Sequence, residues 1–138
     1  MSHMRTHCFR LRRGDDLRQS LERYVREQHI RAAVVLSAVG CVSRAVLRDA
    51  SGVTVRTLEE HLEIVSLMGT LSEARTHLHI ALSREDLSTV GGHLKDGCIV
   101  NTTAEVVLLE LSGVAFGAGY DPETGYDELV ISHEEEPK

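Results

Sequence analysis

Along most of the chain apolar and polar residues alternate in twos, and one stretch near the start recurs instead at the helical period. Met4–Leu11 alternates loosely and predicts a first strand. The run Arg13-Gly14-Asp15-Asp16 breaks it, and either aspartate can cap a following helix. Leu17, Leu21, Tyr24 and Val25 then recur at helical spacing through Gln28, leaving Arg18, Glu22, Arg23 and Arg26 on the polar side. Ala32–Val39 and Val42–Asp49 predict two consecutive strands around a bend at Gly40. Ser51-Gly52 marks a turn and Val53–Thr57 a short strand. Leu62–Leu67 alternates up to a break at Gly69. Ala74–Leu82 alternates again, with Thr76, Leu78, Ile80 and Leu82 on one face and His77, His79 and Ala81 on the other. Arg84–Leu87 reads as a turn and Gly91–Gly97 as a glycine-rich connection. Cys98–Leu111 is long and apolar at its centre, which predicts a strand buried on both faces. Tyr120–Tyr126 is a turn, and Leu129–Ile131 a small final strand.

These elements amount to one α+β domain: a curved, largely antiparallel sheet with a long N-terminal helix against it. Ser2–Met4 read as a cloning scar, so residues 1–4 are set apart as disordered. The domain occupies residues 5–132, and residues 133–138 form an acidic disordered tail. A length of 138 residues is enough for one such core.

Composition narrows the function classes. No apolar run is long enough to span a membrane, and the opening Met-Ser-His-Met-Arg lacks the apolar centre of a secretory signal. Cys8, Cys41 and Cys98 are far apart and form no C-x-x-C, so they read as reduced thiols in a cytoplasmic protein. A net charge of −6 argues against general affinity for phosphate backbones. The charge is uneven, however: eight arginines face four acids between Arg5 and Arg31, and acids dominate after Asn101. That distribution fits a solvated helix face with an acidic tail, or a basic patch repeated around a symmetry axis.

The candidate chemistry lies in the histidines. Residues i and i+2 of a strand share a face, with Cα atoms roughly 6.5–7 Å apart. His77 and His79 therefore project together. His93 follows Gly91-Gly92, which permit close backbone approach, and can fold over the first two. Three imidazoles with an open fourth position form the arrangement preferred by catalytic zinc, although nitrogen ligation also suits nickel, copper or iron. Glu105 and Glu63 are candidates for a ligand, an acceptor of an imidazole N–H, or a general base. The same histidines are equally readable as polar members of a half-buried sheet.

The succession Leu62–Thr70, His77–Ser83, Gly91–Leu94 and Thr102–Val107, with Leu11–Leu17 before it and Tyr120–Leu129 after it, resembles the PPC domain (plants and prokaryotes conserved), in its prokaryotic single-domain form. The resemblance spans nearly the whole chain. It implies a homotrimer with a curved antiparallel sheet, and a fold similar to that of acetolactate decarboxylase. It also implies zinc, or another divalent transition metal, at His77, His79 and His93. Plant members carry AT-hooks and bind DNA. Here Arg12-Arg13-Gly14-Asp15 lacks the Arg-Gly-Arg core of an AT-hook, and Pro122 and Pro137 are the only prolines. The glycine usual after Ser83 is also absent.

Three functions follow as expectations. The first is a trimeric protein with a three-histidine zinc site in a binding role, with a small-molecule ligand and, as an extension, metal-dependent lyase or hydrolase chemistry. The second is a DNA-binding regulator. The third is a scaffold in which the histidines do no chemistry.

Overall fold

The computed structural model describes residues 4–134. Strand accounts for 62 % of it and helix for 8 %, which corrects the expected α+β fold with a long helix. The fold is a mostly antiparallel β structure carrying one short helix.

The helix, α1 (Leu17–Glu27), is held to eleven residues by caps at both ends. Asp16 accepts from the Gln19 N–H at 3.0 Å, satisfying a free amide of the first turn. At the other end His29 takes φ 54°. Its N–H donates to the Arg26 carbonyl at 3.2 Å and that of Ile30 to the Val25 carbonyl at 3.0 Å. This is the Schellman pattern, and the buried Ile30 supplies its hydrophobic contact instead of prolonging the helix.

Seven strands form the main sheet. These are β1 (Arg5–Arg12), β2 (Ala33–Arg48), β3 (Val55–Leu58), β4 (Leu62–Leu71), β5 (Thr76–Ser83), β6 (Thr89–Leu94) and β7 (Ile99–Glu110). Their order is β1-β7-β2-β4-β5-β6, with β3 beside the end of β2. The sixteen-residue β2 also pairs with β6, through Leu47↔Leu94 and Arg48↔His93. The path β2-β4-β5-β6 thereby closes on itself.

Two glycines expected to end strands lie inside them. Gly40 and Gly69 take φ 148° and 151°, and β2 and β4 continue through them; the bend or bulge expected at Gly40 is a shift in the register of β2 against β7 between Gly40 and Cys41. A Cβ on Gly69 would overlap the His77 carbonyl, so its absence lets β4 lie close against β5. β7 also departs from expectation. Val100, Ala104, Val106 and Leu108 are buried, but Glu105 is exposed and Val107 and Leu109 are half-buried. One face alone packs on the core, and the apolar run of its centre reflects β-branched preference more than two-sided burial.

The core lies between α1 and the inner face of the closed sheet. Leu17, Leu21 and Val25 meet Leu62, Leu67, Leu78, Leu82, Leu94 and Leu108, all essentially without solvent contact. Each such side chain contributes roughly 1.5–3 kcal/mol on burial.

A hairpin of β8 (Val114–Asp121) and β9 (Tyr126–His133) forms a second sheet. It is tied to the body where the Phe116 N–H donates to the Arg31 carbonyl at 2.9 Å and the Ser72 hydroxyl donates to the Phe116 carbonyl at 2.8 Å. β8 had no counterpart in the sequence reading. The stretch read as an acidic tail begins within β9 at His133, and Glu134 pairs with Arg31; residues 135–138 lie outside the described part, as do residues 1–3 of the leading segment. Cys98 is buried, which pushes its thiol up to about 11, while Cys41 is half-buried and Cys8 exposed. No helix among the described residues is long and apolar enough to cross a membrane.

Candidate metal centre

β5 and β6 assemble the site. Alternation along β5 turns Leu78, Ile80 and Leu82 into the core, so Arg75, His77 and His79 point the other way. His93 is not on a loop as expected: it lies on β6, directly across from His79 on one side and from Arg48 of β2 on the other. The two preceding glycines make this possible. A Cβ on Gly91 would stand 2.5 Å from the Ile80 carbonyl oxygen, and one on Gly92 would stand 2.7 Å from that of Arg48. β6 can therefore be clasped by β5 and β2 at once, which places the third imidazole beside the first two.

The imidazoles converge. His77 Nε2 and His79 Nε2 are 3.2 Å apart, and the ring centroids of the three pairs lie 5.0, 5.3 and 5.6 Å apart. One ring nitrogen from each lies within 4.8 Å of the other two. Tetrahedral zinc with Zn–N near 2.05 Å sets its nitrogens roughly 3.3 Å apart, so the first pair matches that edge and small ring rotations complete the triangle. The Nδ1 of His93 is buried and has no hydrogen-bond partner among the described residues. Burial, reinforced by Arg75, His79 and Arg48, holds His77 below the usual imidazole range. Burial with Arg48, His77 and His79 takes His93 down to about 4. Neutral imidazoles are the form that ligates metal, so the residues fit such an ion. Bound there, a divalent metal would supply Lewis acidity toward a carbonyl or water.

The carboxylates proposed from sequence stand elsewhere. Glu63 pairs with Ser83, four residues along β5 from His79, or about 13 Å by strand rise. Glu105 is on β7, three strands from β5, or about 14 Å. Neither joins the cluster within one chain. The structure instead brings up residues that the sequence reading missed. A cavity of about 460 Å³ beside His77 and His93 is lined by Arg48, Arg75, Tyr126 and Glu128. Arg75 was within reach of sequence reasoning, since it shares the i, i+2 face of His77. Arg48 and Glu128 come from β2 and the hairpin, which no local pattern links to the histidines.

Comparison with known proteins adds the family. The profile of the Plants and Prokaryotes Conserved (PCC) domain, also abbreviated PPC, matches residues 1–112. The chain belongs to the PCC-domain family. A bifunctional protein GlmU of Synechococcus sp. (strain JA-3-3Ab) is 45 % identical over 93 % of this PCC chain, which covers 21 % of that protein. The chain thus spans about a fifth of the curated relatives it matches. Among solved structures, a hypothetical protein from Salmonella cholerae-suis is 34 % identical, with 96 % of each chain covered and a TM-score of 0.92. A metal-containing protein from Archaeoglobus fulgidus is 32 % identical, with 91 % of this chain and 93 % of that one covered and a TM-score of 0.78. A candidate DNA-binding protein from Bacteroides thetaiotaomicron, at 22 % identity, 94 % and 97 % coverage and a TM-score of 0.80, shares the PCC fold.

Proposed function

We propose that this PCC protein binds a transition metal ion, with zinc favoured, through His77, His79 and His93, and presents the remaining coordination positions to a small molecule in the adjoining cavity. The observation that carries this reading is the 3.2 Å separation of the His77 and His79 Nε2 atoms with His93 closing the triangle. The similarity to the metal-containing protein of Archaeoglobus fulgidus supports it. The role is one of binding, with no reaction assigned.

The test is metal analysis of protein purified without a polyhistidine tag and supplemented with zinc. About one equivalent per chain is expected, falling to background in the His77→Ala/His79→Ala variant. Less than about 0.2 equivalents in the unsubstituted protein overturns the reading.

Assembly as a homotrimer belongs to the same proposal. Leu36, Val39, Val65 and Met68 are each more than half exposed on the outward side of β2 and β4. Apolar surface of that kind is ordinarily covered by another copy. Cys8, Cys41 and Cys98 form no disulfide, which supports a reducing, cytoplasmic setting.

DNA binding is the second reading, supported by the description of the Bacteroides fold neighbour. Against it stand the net charge of −6 and the pairing of Arg18 with Glu22 and Asp96 and of Arg31 with Glu134, which neutralises part of the basic N-terminal region. A duplex titration at two salt concentrations separates the readings, because backbone binding must weaken steeply with salt.

A further inference from the structure

Two arginines stand beside the histidines without a carboxylate partner. Among the described residues Arg18, Arg31, Arg44, Arg56 and Arg84 form ion pairs and the other eight of the thirteen arginines do not; what sets Arg48 and Arg75 apart is their place at the histidine cavity. Among the described residues Arg48 and Arg75 form none, although Asp127 and Glu128 line the same cavity. The Nε of Arg48 is buried and unpartnered, and it sits on the strand pair that carries His93. Arg75 reaches only the His77 ring, with Nη2 3.5 Å from Nδ1. Leaving a guanidinium donor buried and unmatched, as the Arg48 Nε is, is unfavourable, and with Arg75 beside it at one cavity it indicates that something absent from the polypeptide satisfies it.

We propose that Arg48 and Arg75 form an anion subsite next to the three imidazoles, and that the ligand of this cavity is a small organic acid held by its carboxylate. This rests on the metal-binding reading for the second anchor point. A planar guanidinium fork matches a carboxylate edge in two parallel hydrogen bonds. A carboxylate is favoured over phosphate because the opposite wall is acidic. Apart from the metal, the two guanidiniums are already balanced in part by Asp127 and Glu128, which lowers the preference of the arginine end of the cavity for a dianion over a single carboxylate. A cavity of about 460 Å³ holds a molecule of metabolite size. An acid bound by Arg48 and Arg75 can extend a further oxygen toward His77 and His93, the residues that would hold the metal. Glu128, whose charge raises the His77 imidazole slightly against the larger lowering effects, faces that molecule from the hairpin. Its Oε1 accepts from the Thr124 hydroxyl at 3.2 Å, which orients it.

The experiment measures zinc content first and then titrates zinc-loaded and zinc-stripped protein with the monocarboxylates pyruvate, acetate and benzoate, following ligand-observed NMR and calorimetry. Pyruvamide and inorganic phosphate serve as the neutral and dianionic controls. At least one carboxylate is expected to bind the loaded protein below about 10 mM, and pyruvamide is not. Arg48→Gln and Arg75→Gln should each weaken that acid by about tenfold to a hundredfold with zinc content unchanged. Arg48→Lys should recover only part of the loss, because a point charge lacks the fork. Glu128→Gln keeps the test open should an arginine variant misfold: it removes an opposing charge and should tighten the acid.

The subsite is overturned if no acid binds, if the arginine variants bind as well as the parent, or if phosphate outcompetes every carboxylate. Failure of the metal reading is distinct. It appears as absent zinc, and the arginine variants then still decide the subsite through the metal-stripped titration.

Discussion

On β5 and β6 the outward positions carry three imidazoles beside two guanidiniums, whereas on β2 and β4 they carry Leu36, Val39, Val65 and Met68. The inward positions of the two regions are interchangeable in character: Leu78 and Leu82 on one side, Leu67 and Leu71 on the other, all fully buried. Period-two alternation therefore fixes which residues make the core, and says little about the use of the opposite face. That use depends on what lies over it. The β8–β9 hairpin brings Tyr126 and Glu128 to the histidine side and encloses a cavity there. Among the described residues nothing covers the apolar side, where a second copy is the proposed neighbour.

The contrast can be broken most strongly at its common base. Leu78→Ala and Leu67→Ala remove equivalent inward side chains from the two regions, and each should cost about 2–5 kcal/mol in denaturant unfolding. A large cost at one and almost none at the other would show that the regions do not share a core. Next in size is the outward apolar face. Leu36→Glu/Val39→Glu should shift the protein to monomer by light scattering and leave zinc content unchanged, since neither residue belongs to the histidine cluster.

A pH effect separates the histidine side alone. His93 sits at about 4 in the folded protein, below its ordinary 6.5, and His77 is lowered as well. Between those values the unfolded chain binds the additional proton, so the metal-free protein should lose stability as pH falls from about 6.5 to about 4, with no further loss from His93 below that. His93→Gln should flatten the slope in thermal melts across that window, and zinc should oppose the loss by holding the ring neutral. The smallest effect is expected on β7, where Thr102 takes φ 68°. A β-branched residue is strained there, so Thr102→Gly should stabilise by about 1 kcal/mol, less whatever glycine adds to the freedom of the unfolded chain.

How far the sequence disclosed this arrangement depends on the range of the interactions involved. The shared face of His77 and His79 was legible because alternation is local. The position of His93 was half legible: Gly91-Gly92 signalled a close approach, yet were read as a connection when they are the means by which one strand fits between two others. β8 was missed because Gly117 and Gly119 dilute its alternation, and its pairing with β9 is what makes it a strand. The helix was located to within a residue, through Gln28 against an observed end at Glu27, but its weight in the fold was overstated: eleven helical residues stand against a chain that is mostly strand. Glu63 and Glu105 were plausible neighbours only while strand order was unknown. Arg48 had no local signal at all. Its approach to the site comes from a pairing with His93, 45 residues further along the chain.

That pairing has a consequence in time. His77 and His79 are adjacent on one strand and can offer two nitrogens to a metal in a barely organised chain. His93 becomes the third donor only when β6 has docked against both β5 and the far end of β2, the contact that closes the ring of strands. Loop closure over such sequence separation is slow and comes late. Tight metal capture would accordingly mark the completion of folding: an ion bound through two nitrogens is held weakly and can leave, and one bound through three reports that the ring has shut.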